Sequence, residues 1–146
     1  MKLTAIALLE LCLLGTPAQA YLDSVDLPPG ADTGQTVTVT VLGGLTSSCW
    51  EFQDFETFLT GQLALVEITL INDTPPEISC LPVITPYDVY PEFVFNEAGT
   101  YTVRVVEHRI YLGSPLEDHI WEGTIEVTGE TADQPVSWSA VKALYQ

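Results

Sequence analysis

An all-β sandwich of about seven short strands is the fold class the sequence predicts, from three runs of alternating residues. Val37, Val39 and Val41 alternate with Thr36, Thr38 and Thr40, and Tyr101, Val103 and Val105 with Thr102 and Arg104. Near the end of the chain, Trp121, Gly123, Ile125 and Val127 alternate with Glu122, Thr124 and Glu126. A period of two sets one side of a strand on a core and the other in water. No long helix is predicted.

Residues 1–20 read as a signal peptide: Lys2 forms a short positive start, residues 3–14 are mostly apolar, and Ala18-Gln19-Ala20 is a small-x-small cleavage site. Glu10 interrupts the apolar run, which falls short of the roughly 20 residues that span a bilayer, so no membrane segment is expected after cleavage. The remaining 126 residues suffice for one domain with a core. Export makes a disulfide between Cys49 and Cys80 the natural expectation, since Cys12 leaves with the signal. The expected location is outside the cytoplasm, either secreted or at a periplasmic or cell-surface site.

Residues 21–27 alternate loosely before Pro28-Pro29-Gly30 and predict a short edge strand. Residues 35–42 predict a β-branched strand ended by Gly43-Gly44. Phe52, Phe55 and Phe58 recur every three residues, a spacing that suits a short helix or a bulged strand. The turn at Thr60-Gly61 and the alternation of Ala64, Val66, Ile68 and Leu70 favour strand, closing a hairpin. Residues 72–86 form a loop in which Pro75, Pro76, Pro82 and Pro86 remove backbone donors. Asn72-Asp73-Thr74 has the form of a glycosylation sequon, though a plain turn accounts for it as well.

Residues 87–95 extend again, and Pro91 places them at an edge or bulge. Asn96-Glu97-Ala98-Gly99 turns into the strand that runs to Ile110, with Gly99 free to take a positive φ and a phase slip at Val105-Val106 that predicts a bulge. Residues 111–119 connect it to the last strand, residues 120–128. Residues 21–129 thus make the sandwich domain, and residues 130–136 read as a linker. In residues 137–146, Trp138, Val141 and Tyr145 share one stripe of a short amphipathic C-terminal helix.

The Gly-x-Tyr-x-Val step into a penultimate strand, within seven predicted strands, resembles immunoglobulin-like and fibronectin-type sandwiches of small secreted bacterial proteins, over roughly residues 22–129. The resemblance implies an antiparallel sandwich in which Tyr101 is the tyrosine-corner residue. Val103 stands where antibody-type domains place a cysteine, so this disulfide is the chain's own.

The chain carries a net charge of −16, unchanged by loss of the signal, whose Lys2 and Glu10 offset each other. That charge disfavours nucleic acid as a partner. No Gly-x-Ser-x-Gly or phosphate-cradling glycine loop occurs, so no enzyme activity and no cofactor are expected. His108 and His119, with Asp118, are the candidate metal ligands if they face each other across the last hairpin. Glu51, Asp54 and Glu56 cluster as calcium ligands do, without the spaced loop of a calcium site. Tyr111, Leu112 and Leu116 are the candidate binding residues, because loops at the end of a sandwich carry contacts at little cost to the core. The expected function is a non-catalytic module that binds a protein or surface polymer through its end loops. The alternatives are a secreted protease inhibitor presenting residues 111–119 and a metal-binding protein using His108 and His119.

Overall fold

The computed structural model describes residues 20–129, and these form a β-sandwich. The smaller layer contains β1 (Tyr21–Asp26), β4 (Thr40–Leu45) and β7 (Thr85–Val89), in the order β1-β4-β7 and antiparallel throughout. Two short strands, β3 (Thr36–Thr38) and β8 (Glu92–Val94), pair antiparallel and extend it. Facing it are β2 (Gly30–Asp32), β11 (His119–Thr128), β9 (Gly99–Tyr111), β6 (Leu63–Asn72) and β5 (Glu51–Thr60), in that order, while β10 (Ser114–Pro115) folds back onto β9. The core lies between the layers, with Val37, Val39, Val41 and Phe93 on one side and Val66, Ile68, Val103 and Ile125 on the other.

Among the described residues there are eleven strand segments, more than the seven expected. The alternating run at residues 36–45 divides at Val39, and residues 85–94 divide at Pro91 opposite it. The Val39 N–H donates to the Pro91 carbonyl at 2.9 Å, and Pro91 has no N–H to return. The remaining extra segments are short ones, β2 and β10. Gly43-Gly44 does not end a strand, because β4 continues to Leu45 with the Tyr87 ring lying over Gly43 and the Tyr21 ring over Gly44.

The sandwich is not wholly antiparallel. β6 runs parallel to β9, and β2 parallel to β11. Residues 73–98 leave β6, pass through the opposite layer as β7 and β8, and return to enter β9 in the direction β6 took, which is the crossover that parallel neighbours require.

The expected bulge at Val105-Val106 is absent, since β9 keeps unbroken register with both neighbours. Its core-facing positions run Tyr101, Val103, Val105, Glu107, Arg109. The apparent slip arises because the last two are polar and yet buried. A bulge does occur in β5, between Phe52 and Asp54. It sets Phe52 opposite Leu70 and Phe55 opposite Ile68, on the core-facing side, while Phe58 lies opposite Leu65 on the outer side. Three-residue spacing therefore does not put the three phenylalanines on one face. The predicted linker and C-terminal helix, and all of the predicted signal but its last residue, lie outside the described residues; that last residue, Ala20, is buried against the core. No helix among the described residues is long and apolar enough to cross a membrane.

Candidate functional site

Three segments meet at one end of the sandwich: the β4–β5 connection, the proline-rich loop of residues 73–84, and the turn from β9 into β10. Each is held by local chemistry. Cys49 and Cys80 form a disulfide with a Cα–Cα distance of 5.6 Å. Beside it the Ser48 N–H donates to the Leu81 carbonyl and the Leu81 N–H to Ser48 Oγ, both at 3.0 Å. At the start of the loop, Asn72 is buried and its Oδ1 accepts the Thr74 N–H at 3.0 Å. The would-be sequon is thus a side-chain-closed turn. The Asn72 carbonyl accepts the Leu112 N–H at 2.9 Å, tying this loop to the β9–β10 turn.

Between these segments lies a cavity of about 510 Å³, lined by Trp50, Ile78, Cys80, Pro82, Tyr111 and Leu116 with Thr46, Ser47, Asn72 and Thr74 among its polar members. Its size and apolar lining suit a small ligand or an inserted side chain. Thr46 contributes to the wall, but its Oγ1 is shielded from solvent and has no hydrogen-bond partner among the described residues.

Of the residues the sequence nominated, Tyr111 and Leu116 line this cavity. Leu112 sits beside it at the tip of the turn, 43% exposed, with φ of 49°, and Gly113 follows with φ of 74°. Two successive positive φ values make a tight hairpin turn, comfortable for glycine and costly for leucine. Residues 111–116 are folded back, with β10 paired to β9 and the Leu116 N–H donating to the Arg109 carbonyl at 2.8 Å.

Removing the disulfide should loosen the wall that contains Cys80. The closed loop of 32 residues corresponds to about 3.7 kcal/mol in the chain-entropy treatment. A Cys49→Ser/Cys80→Ser double variant is therefore expected to lose about 2–4 kcal/mol in a urea titration. An unchanged midpoint would contradict this role.

His108 and His119 do not converge. His119 is in register with Glu107, not with His108, so the two imidazoles project from opposite faces of the sheet. His108 Nδ1 lies 3.0 Å from Asp118 Oδ1, with Glu67 at 3.7 Å from its Nε2, while His119 Nδ1 lies 3.0 Å from Glu107 Oε1. Among the described residues no group of three or more histidine, cysteine or acidic side chains is arranged to hold a metal ion.

A buried polar cluster joins β7 to β9. Glu107 is fully buried, accepts a hydrogen bond from the Tyr87 hydroxyl, and lies 4.0 Å from the Arg109 guanidinium. Arg109, also buried, donates to the Glu117 carbonyl. Burial above all, and then the bond to Glu107, push the Tyr87 hydroxyl far above its ordinary ionisation range, so it stays a donor. Sequence reasoning missed this cluster. The available signal was that positions 107 and 109 continue the core-facing alternation of Tyr101, Val103 and Val105.

Gly99 opens β9 with φ of 151°, a conformation that side chains disfavour, and the Tyr101 hydroxyl donates to the Glu97 carbonyl at 3.0 Å. That bond braces the turn from which β9 sets out toward the cavity.

No match is found among curated proteins or among solved structures. The profile of the ORF11 beta-sandwich domain matches residues 39–128, from β4 to the end of β11, which contains every segment that builds the cavity. The chain belongs to the ORF11 beta-sandwich domain family.

Proposed function

We propose that this domain is an exported, non-catalytic binding module whose end cavity receives an apolar group from a protein or surface polymer. The observation that carries this reading is the cavity of about 510 Å³, walled by apolar side chains and stapled by the disulfide. The disulfide and the signal-like residues 1–20 support export. The Tyr101–Glu97 hydrogen bond supports kinship with immunoglobulin-like sandwiches, while the parallel β6–β9 pair sets the domain apart from them.

Leu112 supplies the test. An exposed leucine held at positive φ costs about 1–2 kcal/mol that asparagine or glycine would largely avoid, and such strain is characteristic of positions kept for contact. Leu112→Asn is expected to raise the stability of the fold by up to about 1 kcal/mol and to weaken binding of indole, an apolar probe for the cavity mouth. Melting curves and an indole titration followed by NMR read both effects. Indole binding unchanged in the stabilised variant would remove Leu112 from the site. Absence of any saturable indole binding to the parent chain would overturn the proposed function.

A further inference from the structure

The two layers differ in width, and the wider one ends in a strand that has one neighbour. Among the described residues β5 pairs with β6 alone, and all ten of its residues are exposed. The strand's other edge presents a row of backbone N–H and C=O groups open to another strand. Its core-facing side continues the apolar interior past the point where the smaller layer stops. Phe52 meets the Tyr87 ring at 5.8 Å, yet Phe52, Phe55 and Leu59 remain 36%, 38% and 41% exposed. Natural edge strands are protected by brevity, proline, charged side chains, bulges or a covering segment. β5 is ten residues long and without proline or lysine; its guards are the bulge between Phe52 and Asp54 and its carboxylates, which repel acidic chains and leave the edge open to basic ones.

The opposite face of β5 is acidic. Glu51, Asp54 and Glu56 stand on the outer side, and Glu56 is in register with Glu67 of β6. Two carboxylates directly opposed across a strand pair destabilise it, and a cation placed alongside relieves the repulsion.

We propose that β5 is a docking edge that takes, by strand addition, an extended segment of a partner protein in which lysine or arginine alternates with apolar residues. Strand addition matches both faces at once. The apolar residues of the added strand cover Phe55 and Leu59, and its cations fall beside Glu51, Asp54 and Glu56 at the spacing of cross-strand neighbours. A second copy of this chain fits poorly, because two β5 edges together would gather six carboxylates on one face of a chain whose net charge is −16.

The test uses the full chain and a fluorescent decapeptide of alternating lysine and valine, in three forms: unmodified, and N-methylated on one or the other alternate set of backbone amides. An added strand turns one set of amides toward β5 and the other toward solvent. The expected result is saturable binding of the unmodified peptide and loss of at least about tenfold in affinity for only one of the methylated forms. Glu56→Lys and Phe55→Lys are each expected to weaken the unmodified peptide by about tenfold, with melting temperatures close to the parent's. Equal binding of both methylated forms would overturn strand addition in favour of charge attraction alone. Failure of the unmodified peptide to bind would overturn the proposal outright. Dimerisation of the parent chain that Phe55→Lys abolishes would assign the edge to a second copy instead. Leu112→Asn should leave peptide binding intact, so this proposal and the end-cavity reading fail separately.

Discussion

Gly43→Ala is expected to destabilise the domain by about 3–5 kcal/mol, a large share of the roughly 5–15 kcal/mol that holds such a domain together. A Cβ at position 43 would lie 2.2 Å from Cζ of Tyr87 and 2.3 Å from its hydroxyl oxygen. The ring is buried between the layers, so it cannot swing out. Displacing it overpacks the core at about 1–3 kcal/mol and breaks a hydrogen bond to a buried acid worth about 1.5–3 kcal/mol. Gly44→Ala is the control. It meets the half-buried Tyr21 ring at the margin of the smaller layer, where the ring has room to give, and a smaller loss is expected. Urea titration compares the two. A loss below about 1 kcal/mol for Gly43→Ala would contradict the placement of Tyr87.

Glu107→Ala is expected to cost a further-reaching 3–5 kcal/mol or so, the usual penalty for removing one partner of a buried charged cluster. Both the Tyr87 hydroxyl and the Arg109 guanidinium would lose the carboxylate that faces them. The same cluster predicts an alkaline signature. Tyr87 ionises in the unfolded chain near its ordinary value of 10.0, whereas in the folded protein burial and Glu107 hold the proton on to higher pH. The contribution is therefore complete below pH 10.0 and is lost as the pH climbs above it, because only the unfolded chain then gives up the proton. Thermal melts from pH 8 to about 11 should show this fall in the parent and a smaller fall in Tyr87→Phe. An identical pH profile in the two proteins would contradict the proposed coupling.

Much of the fold was legible because strand alternation is a local signal. The hairpin across Gly61, the edge position of residues 21–26 and the disulfide all follow from residues close in sequence or from the count of cysteines. The parallel placement of β6 beside β9 was not legible, since strand order depends on how residues 73–98 cross between layers, and no side-chain pattern within β6 or β9 records it. The polar core was hidden for a different reason. Glu107 and Arg109 occupy positions that polarity assigns to water, and their partners there, the Tyr87 hydroxyl and His119 for Glu107 and the Glu117 carbonyl for Arg109, come together only in the folded chain. At the candidate site, Tyr111 and Leu116 could be nominated from their loop position. Trp50, Ile78 and Pro82 could not, because the cavity they complete exists only once Cys49 and Cys80 draw two distant segments together.

The most direct test of the end cavity as a ligand site is a crystal structure of the chain grown with indole. The predicted result is indole seated between Trp50, Tyr111 and Leu116. Density for indole at β5 alone, or a cavity closed by inward movement of residues 73–84, would contradict it.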